Sequence, residues 1–307
     1  MIEKANIVFD QDPSAAVITY DGKAHELLVP GKTSGGEVQY ALNSAPSRYD
    51  TAIPTATEAG KYTVYYKVVG DKNHNDLAVQ SVDVTIKRKP LTDITIELTP
   101  DSFEYDGKVK LPTTVTVKFK EGKTETVVPD TEYDWTCDND SPTNQGTYTI
   151  TITDATDGNY DLTGVTANTA TFYIGKTAQA PLVIEDKPDS TIYGDTFTLT
   201  TSGGSSSSAV TWSATGPVTV DENTGEVEII GVGEVTITAT NPGDKNYLPV
   251  SDQWTFTASP KPVTASVVVG NRAYDGTTNA AVTSASIATI NGDTVDIDPA
   301  SITAAFD

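Results

Sequence analysis

The sequence predicts an all-β protein, a series of tandem immunoglobulin-like antiparallel β-sandwiches arranged as an extended string. Three observations predict it. The triplet Tyr-Asp-Gly stands at Tyr20-Asp21-Gly22, Tyr105-Asp106-Gly107 and Tyr274-Asp275-Gly276, with a reordered copy at Tyr193-Gly194-Asp195; the spacings are 85, 88 and 81 residues. That is the length of one sandwich domain, and self-similarity at a fixed period marks a repeat array. A second marker keeps the same period: Gly60-Lys61-Tyr62, Gly146-Thr147-Tyr148 and Gly233-Glu234-Val235 lie 86 and 87 residues apart. A third follows each of these: Gly70-Asp71-Lys72-Asn73-His74, Asp157-Gly158-Asn159-Tyr160 and Gly243-Asp244-Lys245-Asn246-Tyr247.

The elements follow module by module. In the first, residues 1–89, Tyr62, Val64, Tyr66 and Val68 alternate with Thr63, Tyr65 and Lys67, and Val82, Val84 and Ile86 repeat the pattern in a terminal strand. Period-two alternation of Val, Ile, Tyr and Thr fits a pleated, half-buried strand. The second module, 90–178, places Tyr148, Ile150 and Ile152, then Phe172 and Ile174, in the equivalent strands. The third, 179–260, places Val235, Ile237 and Ala239, then Trp254 and Phe256. Residues 261–307 open a fourth module whose second marker would fall past Asp307, so a truncated module is expected. No segment carries a sustained helical period. Short strands between turn signals predict two-sheet sandwiches.

The joins are Lys87-Arg88-Lys89-Pro90, Gln179-Ala180-Pro181 and Ser259-Pro260-Lys261-Pro262. Proline fixes φ, so these short linkers are expected to be stiff. The stretch Ser202-Gly203-Gly204-Ser205-Ser206-Ser207-Ser208 reads as a mobile surface loop.

The net charge of −22 is uneven. The first module has 10 basic and 11 acidic residues, the second 6 and 15, the third 2 and 11, and the remainder 2 and 5. Such a field repels phosphates and disfavours nucleic-acid binding. No apolar run reaches membrane-spanning length, and Met1 is followed by a charged, polar stretch, so any export signal is expected upstream,. One cysteine, Cys137, permits no intrachain disulfide. It alternates with Tyr133 and Trp135, which predicts a small buried hydrophobe rather than a nucleophile.

Val210-Thr211-Trp212-Ser213, the run Val220 to Val227 and the run Gly231 to Thr240 together resemble the group 2 bacterial immunoglobulin-like domain. The first two modules resemble MBG-type repeats of bacterial surface proteins through Tyr-Asp-Gly-Lys, the Gly-x-Tyr-Thr strand and the Asn-rich turn. The run Ala273 to Ala280 is similar to the start of a YDG-type repeat. These resemblances imply an extracellular protein of adhesin-like type, and they bring no catalytic residues.

Candidate sites are few. The Tyr-Asp-Gly aspartate invites a metal or sugar contact, but the reordered copy favours a turn, with glycine at positive φ and tyrosine anchored in the core. The acidic positions Asp138, Asp140, Asp154 and Asp157 are the calcium candidates, with Asp161, Asp293, Asp296 and Asp298 beyond them. None fits the twelve-residue calcium loop. Cofactors are otherwise expected to be none. Trp135, Trp212 and Trp254 could stack on sugars, but their places in the modules predict core burial. His25 and His74 lie in turns, and His74 takes a slot held by Tyr160 and Tyr247. No nucleophile elbow, phosphate loop or zinc spacing is present, so no catalysis is expected. A lysine–asparagine crosslink would require a buried lysine, for which Lys4 is one candidate.

The reading is a stalk or spacer of a secreted or cell-surface bacterial protein, monomeric and not inserted in a membrane. Alternatives are an adhesive module for a host protein or glycan, marked by Tyr62, Tyr65 and Tyr66, and an accessory region of a secreted carbohydrate-active enzyme.

Overall fold

A computed structural model describes residues 2–43, 48–273, 275–288, 292–293, 297–298 and 301–305. Among them the regular structure is β-strand, apart from 3-10 geometry at Asp130–Glu132 and at Ser301. Contacts divide the chain into two units: Met1–Phe103 with Gly107–Ile174, and Glu104–Asp106 with Gly175–Asp307.

In the first unit, strands Ile18–Thr19, Leu77–Lys87, Gly60–Val69 and Glu37–Leu42 form a sheet in that order. The long pairings are antiparallel, while Ile18–Thr19 runs parallel to Ile86–Lys87. Val64, Tyr66, Val68, Val84 and Ile86 are buried, as alternation requires, and close on Ile18, Leu27, Leu28 and Tyr40. The next sandwich has one sheet ordered Ser102–Glu104, Thr169–Gly175, Gly146–Asp154, Tyr133–Cys137, and another ordered Thr95–Thr99, Thr114–Glu121, Thr124–Val127. Ile150, Ile152, Phe172 and Ile174 of the first sheet face a core that includes Val115, Val117 and Phe119 of the second.

In the second unit, Thr211–Thr215, Gly233–Asn241 and Val250–Ala258 oppose Thr196–Thr198, Glu226–Ile229 and Val218–Val220. Val227, Ile229, Val235, Ile237 and Ala239 have no exposed surface. Beyond this sandwich, Ala265–Val269 pairs with Val282–Ile287, and Asn279–Ala280 with Ala304–Ala305. These are all-β, immunoglobulin-like antiparallel sandwiches.

Two expectations fail. Trp135 is 39% exposed, whereas Trp212 is 7% exposed. Both lie on edge strands, but Trp212 is roofed by the following hairpin. Its backbone N–H donates to the Glu222 carbonyl (2.9 Å), and a Cβ on Gly225 would come within 2.9 Å of its indole. After Cys137 the chain runs to Gly146 with no strand pair inserted between, so nothing equivalent covers Trp135 and Cys137 is only half-buried. The second failure is the serine-rich stretch. Ser205 and Ser206 donate their N–H groups to Gln179 Oε1 (2.9 Å each), and Ser208 Oγ donates to the Gly243 carbonyl (2.6 Å). Gln179 and Asn241 are buried, and their amides tie this loop down.

Candidate functional site at the module junction

Each module receives the incoming chain in the same way. In the first, the Ala5 N–H donates to the Asn73 carbonyl (2.9 Å), and the Ala5 carbonyl accepts from Asn75 (2.8 Å). In the second, Lys89 donates to the Asn159 carbonyl and Leu91 to the Asp161 carbonyl, both at 2.8 Å, so Lys89–Pro90 runs parallel to Tyr160–Asp161. In the third, Thr177 donates to Asn246 (3.0 Å) and accepts from Leu248 (2.9 Å). The preceding cation reaches a carbonyl of the same loop each time: Lys4 to Asp71 (3.0 Å), Arg88 to Gly158 (3.0 Å), Lys176 to Asp244 (2.6 Å). The third sequence marker is therefore a docking loop. Its glycine is dictated by crowding, because a Cβ would stand 2.4 Å from a carbonyl oxygen at Gly70 or Gly243, and 1.9 Å from Glu132 Oε2 at Gly158.

The first marker lies at the other end of each sandwich. Tyr20, Tyr105 and Tyr193 donate their N–H groups to the carbonyls of Lys87, Gly175 and Ser259, each at 2.9 Å. The triplet is thus a turn tied to the end of the terminal strand. Gly22, Gly107 and Gly194 have φ of 77, 77 and 83°, and the reordered copy simply moves the left-handed residue one place earlier,. Tyr274 lies outside the described residues.

All three tyrosines are half-buried, and Tyr20 packs against the core of its own module as the sequence suggested. Tyr20 and Tyr105 also meet the third marker of the next module. Within the first unit, the rings of Tyr20 and Tyr160 meet edge to face, 5.4 Å apart at 81°. Within the second, Tyr105 and Tyr247 do the same at 5.3 Å and 81°. Such a pair contributes about 0.5–1.5 kcal/mol beyond area burial.

Around Tyr20 and Tyr160 a polar cluster fills the join. The guanidinium of Arg88 donates two parallel bonds to Asp154, both 2.8 Å, and others to the carbonyls of Gly158, Ala155 (2.8 Å) and Tyr160. A planar fork matched to a carboxylate is geometry that lysine cannot copy. Asp154 Oδ1 also accepts the Leu162 N–H (2.8 Å). The buried Glu132 carboxylate accepts from the Asn159 N–H, from Asn159 Nδ2 (3.2 Å) and from the Tyr160 N–H (3.1 Å). Asn159 reaches across to the first sandwich, accepting from the Ala59 N–H (2.8 Å) and donating to Glu58. Lys89 pairs with Glu121 and lies 5.1 Å from the Phe119 ring centroid. Burial pushes the phenols of Tyr20 and Tyr160 above their ordinary range, with Glu58 and Glu132 adding to the effect on Tyr20. The bonds to Asp154 hold the Arg88 cation more firmly still.

The predicted site residues are placed differently. Asp154 is engaged by Arg88, Asp157 is exposed in the docking loop, and Asp138 and Asp140 lie in the exposed connection after Cys137. Among the described residues no three His, Cys, Asp or Glu side chains are grouped to hold a metal ion. Asp161 accepts from Thr163 Oγ1 (2.6 Å), Asp293 accepts from the Tyr193 hydroxyl, and Asp298 accepts at its backbone carbonyl from Ser301. Asp296 lies outside the described residues. His25 and His74 bond Asp21 and Asp71 at 2.8 Å. Lys4 is exposed, and no described lysine is buried. Sequence reasoning missed Glu58, Glu132 and Asn159 as a set and read Arg88 only as part of a linker.

The family model described as MBG domain matches residues 92–176. No curated protein matches the chain. Solved structures similar in fold include protocadherin gamma B2 extracellular cadherin domains 3-6, at 12% identity and TM-score 0.26, covering 85% of this chain and 75% of that one. Domains 1-6 of the surface layer protein SbsC match at 15% identity and TM-score 0.25, covering 84% of this chain and 42% of that one. Mouse cadherin-23 EC22-24 matches at 13% and 0.24, covering 85% and 96%. At these scores the likenesses carry no argument about function.

Proposed function

We propose that this chain is a spacer segment of a secreted or cell-surface bacterial protein, with group 2 bacterial immunoglobulin-like character in its third module. Its work is mechanical: it holds other parts of the parent protein at a distance. One observation carries this reading. The join between the first two sandwiches is built from specific side-chain contacts, with Tyr20 on Tyr160 and Arg88 forked onto Asp154, rather than left as free linker. A cluster whose donors and acceptors are satisfied by one another holds surfaces together and presents no free base or nucleophile. Small-angle scattering of the intact chain tests the reading. An elongated particle is expected, and a compact globule would overturn it.

An adhesive role has one observation of its own. Tyr65 stands on the outward face of its sheet between Ala41 and Ser81, with Lys67 Nζ 4.7 Å from the ring centroid of Tyr49 nearby. Binding to a panel of extracellular-matrix proteins that disappears in Tyr65→Ala supports this second role, and no binding removes it.

A further inference from the structure

The third sandwich carries an open groove of about 400 Å³ between the segment 188–192 and the terminal strand Val250–Ala258. We propose that it is a saccharide subsite for a neutral glycan. Trp254 and Phe256 lie opposite Ile237 and Val235 across the ladder, so they share the core-facing side of their strand. They line the groove, and remain only half-buried while packing against the core. Their rings are fixed before any ligand arrives: Trp254 overlaps Phe256 at 4.1 Å between centroids, and Phe197 meets Trp254 edge-on at 6.1 Å.

The segment opposite brings the exposed Asp189 and Ser190 to the groove, beside Pro188, Ile192 and the buried Thr191. It is also anchored. The Thr191 carbonyl accepts the Ser259 N–H (3.0 Å), and Thr191 Oγ1 donates to the Thr257 carbonyl (3.4 Å).

A rigid aromatic surface facing one hydroxyl and one carboxylate, those of Ser190 and Asp189, matches the two-sided chemistry of a pyranose. The sugar's C–H face lies against the negative face of the ring, and its hydroxyls reach those two side chains. Charge selects within that class. With 11 acidic and 2 basic residues in residues 179–260, the module repels uronates and sulfated sugars and leaves neutral chains,.

The test uses the intact chain, titrated by calorimetry with cello-, xylo- and manno-hexaoses and with polygalacturonate as the anionic control. Binding of at least one neutral hexaose is expected, with shielding of Trp254 from acrylamide quenching. Asp189→Ala and Ser190→Ala change exposed groups and are expected to weaken association about tenfold, the loss of a hydrogen bond to a charged or polar partner. Trp254→Phe keeps an aromatic ring if the core tolerates it, and is expected to abolish the quenching change. No binding to any of the three neutral hexaoses, stronger binding to polygalacturonate, or binding unchanged in Asp189→Ala and Ser190→Ala would each overturn the assignment.

Discussion

Replacing Arg88 by alanine removes the central donor of the first junction. Its side chain is 23% exposed and that of Asp154 is 12%, so the pair lies between a surface ion pair and a buried one. Surface pairs contribute about 0–1 kcal/mol, and deleting one partner of a buried pair costs about 3–5 kcal/mol. Asp154 keeps the Leu162 N–H, but the carbonyls of Ala155, Gly158 and Tyr160 lose a charged donor. An intermediate loss of about 2–4 kcal/mol follows, most of it from acceptors left half-desolvated. Lysine restores the charge without the fork, so Arg88→Lys should recover less than half of the loss. The assay is urea unfolding of the intact chain followed by fluorescence, with Trp212→Phe and Trp254→Phe in the background so that Trp135 reports on the second module. A double-mutant cycle with Asp154→Asn isolates the pair, and a coupling of about 1.5–3 kcal/mol is expected. A coupling near zero, with the midpoint unmoved in Arg88→Ala, would refute the clamp and return residues 87–90 to the status of a plain linker.

The two tryptophans of equivalent strands should behave oppositely. Trp212→Ala is expected to cost about 3–5 kcal/mol and Trp135→Ala less than about 1 kcal/mol, read by thermal unfolding. Gly158→Ala puts a methyl where Glu132 Oε2 now sits, so the carboxylate must move away from the backbone N–H groups of Asn159 and Tyr160. The expected cost is about 1–3 kcal/mol in the same measurement. The raised phenol values of Tyr20 and Tyr160 fix the sign of an alkaline effect. Unfolded tyrosine loses its proton near pH 10, at about its ordinary value, while the folded phenols still hold theirs. Stability from this source is therefore full below about pH 10 and falls as pH rises through the folded values. Tyr20→Phe should flatten part of that fall in urea midpoints taken from pH 8 upward. Calcium is expected to leave the melting temperature unchanged relative to chelator, and an upward shift that disappears in Asp138→Asn with Asp140→Asn would restore the metal reading.

The strands were legible because a strand's inward residues repeat locally. Val64, Val84, Ile150, Phe172, Val235 and Ile237 are buried where period-two alternation puts them. Burial of Trp135 was not legible, because alternation shows which face a side chain takes but not whether anything lies over that face. The cover on Trp212 comes from a hairpin and a glycine that follow it in the chain, and the shorter connection from Asp138 to Gln145 supplies no counterpart. The serine-rich stretch misled for a related reason. Its composition suggests mobility, but the amides that hold it, Gln179 and Asn241, lie far from it in sequence.

The junction shows the limit more sharply. Each marker was visible as a repeat, and each alone reads as a local turn, which it is. The partner of a marker is the other marker one module further on: Tyr20 packs on Tyr160, and Tyr105 on Tyr247. Contacts separated by about one and a half modules leave no trace in a single module's pattern. The period itself held the clue, since aromatic residues that keep their place at the two ends of successive modules meet the same kind of neighbour at each join. His74 occupies the third-marker slot of the first module and bonds Asp71 within its own loop, while Tyr160 and Tyr247 in the same slot pack on Tyr20 and Tyr105. In the second and third modules the ring in this slot is thus a contact made between modules, which a single module's own pattern does not record.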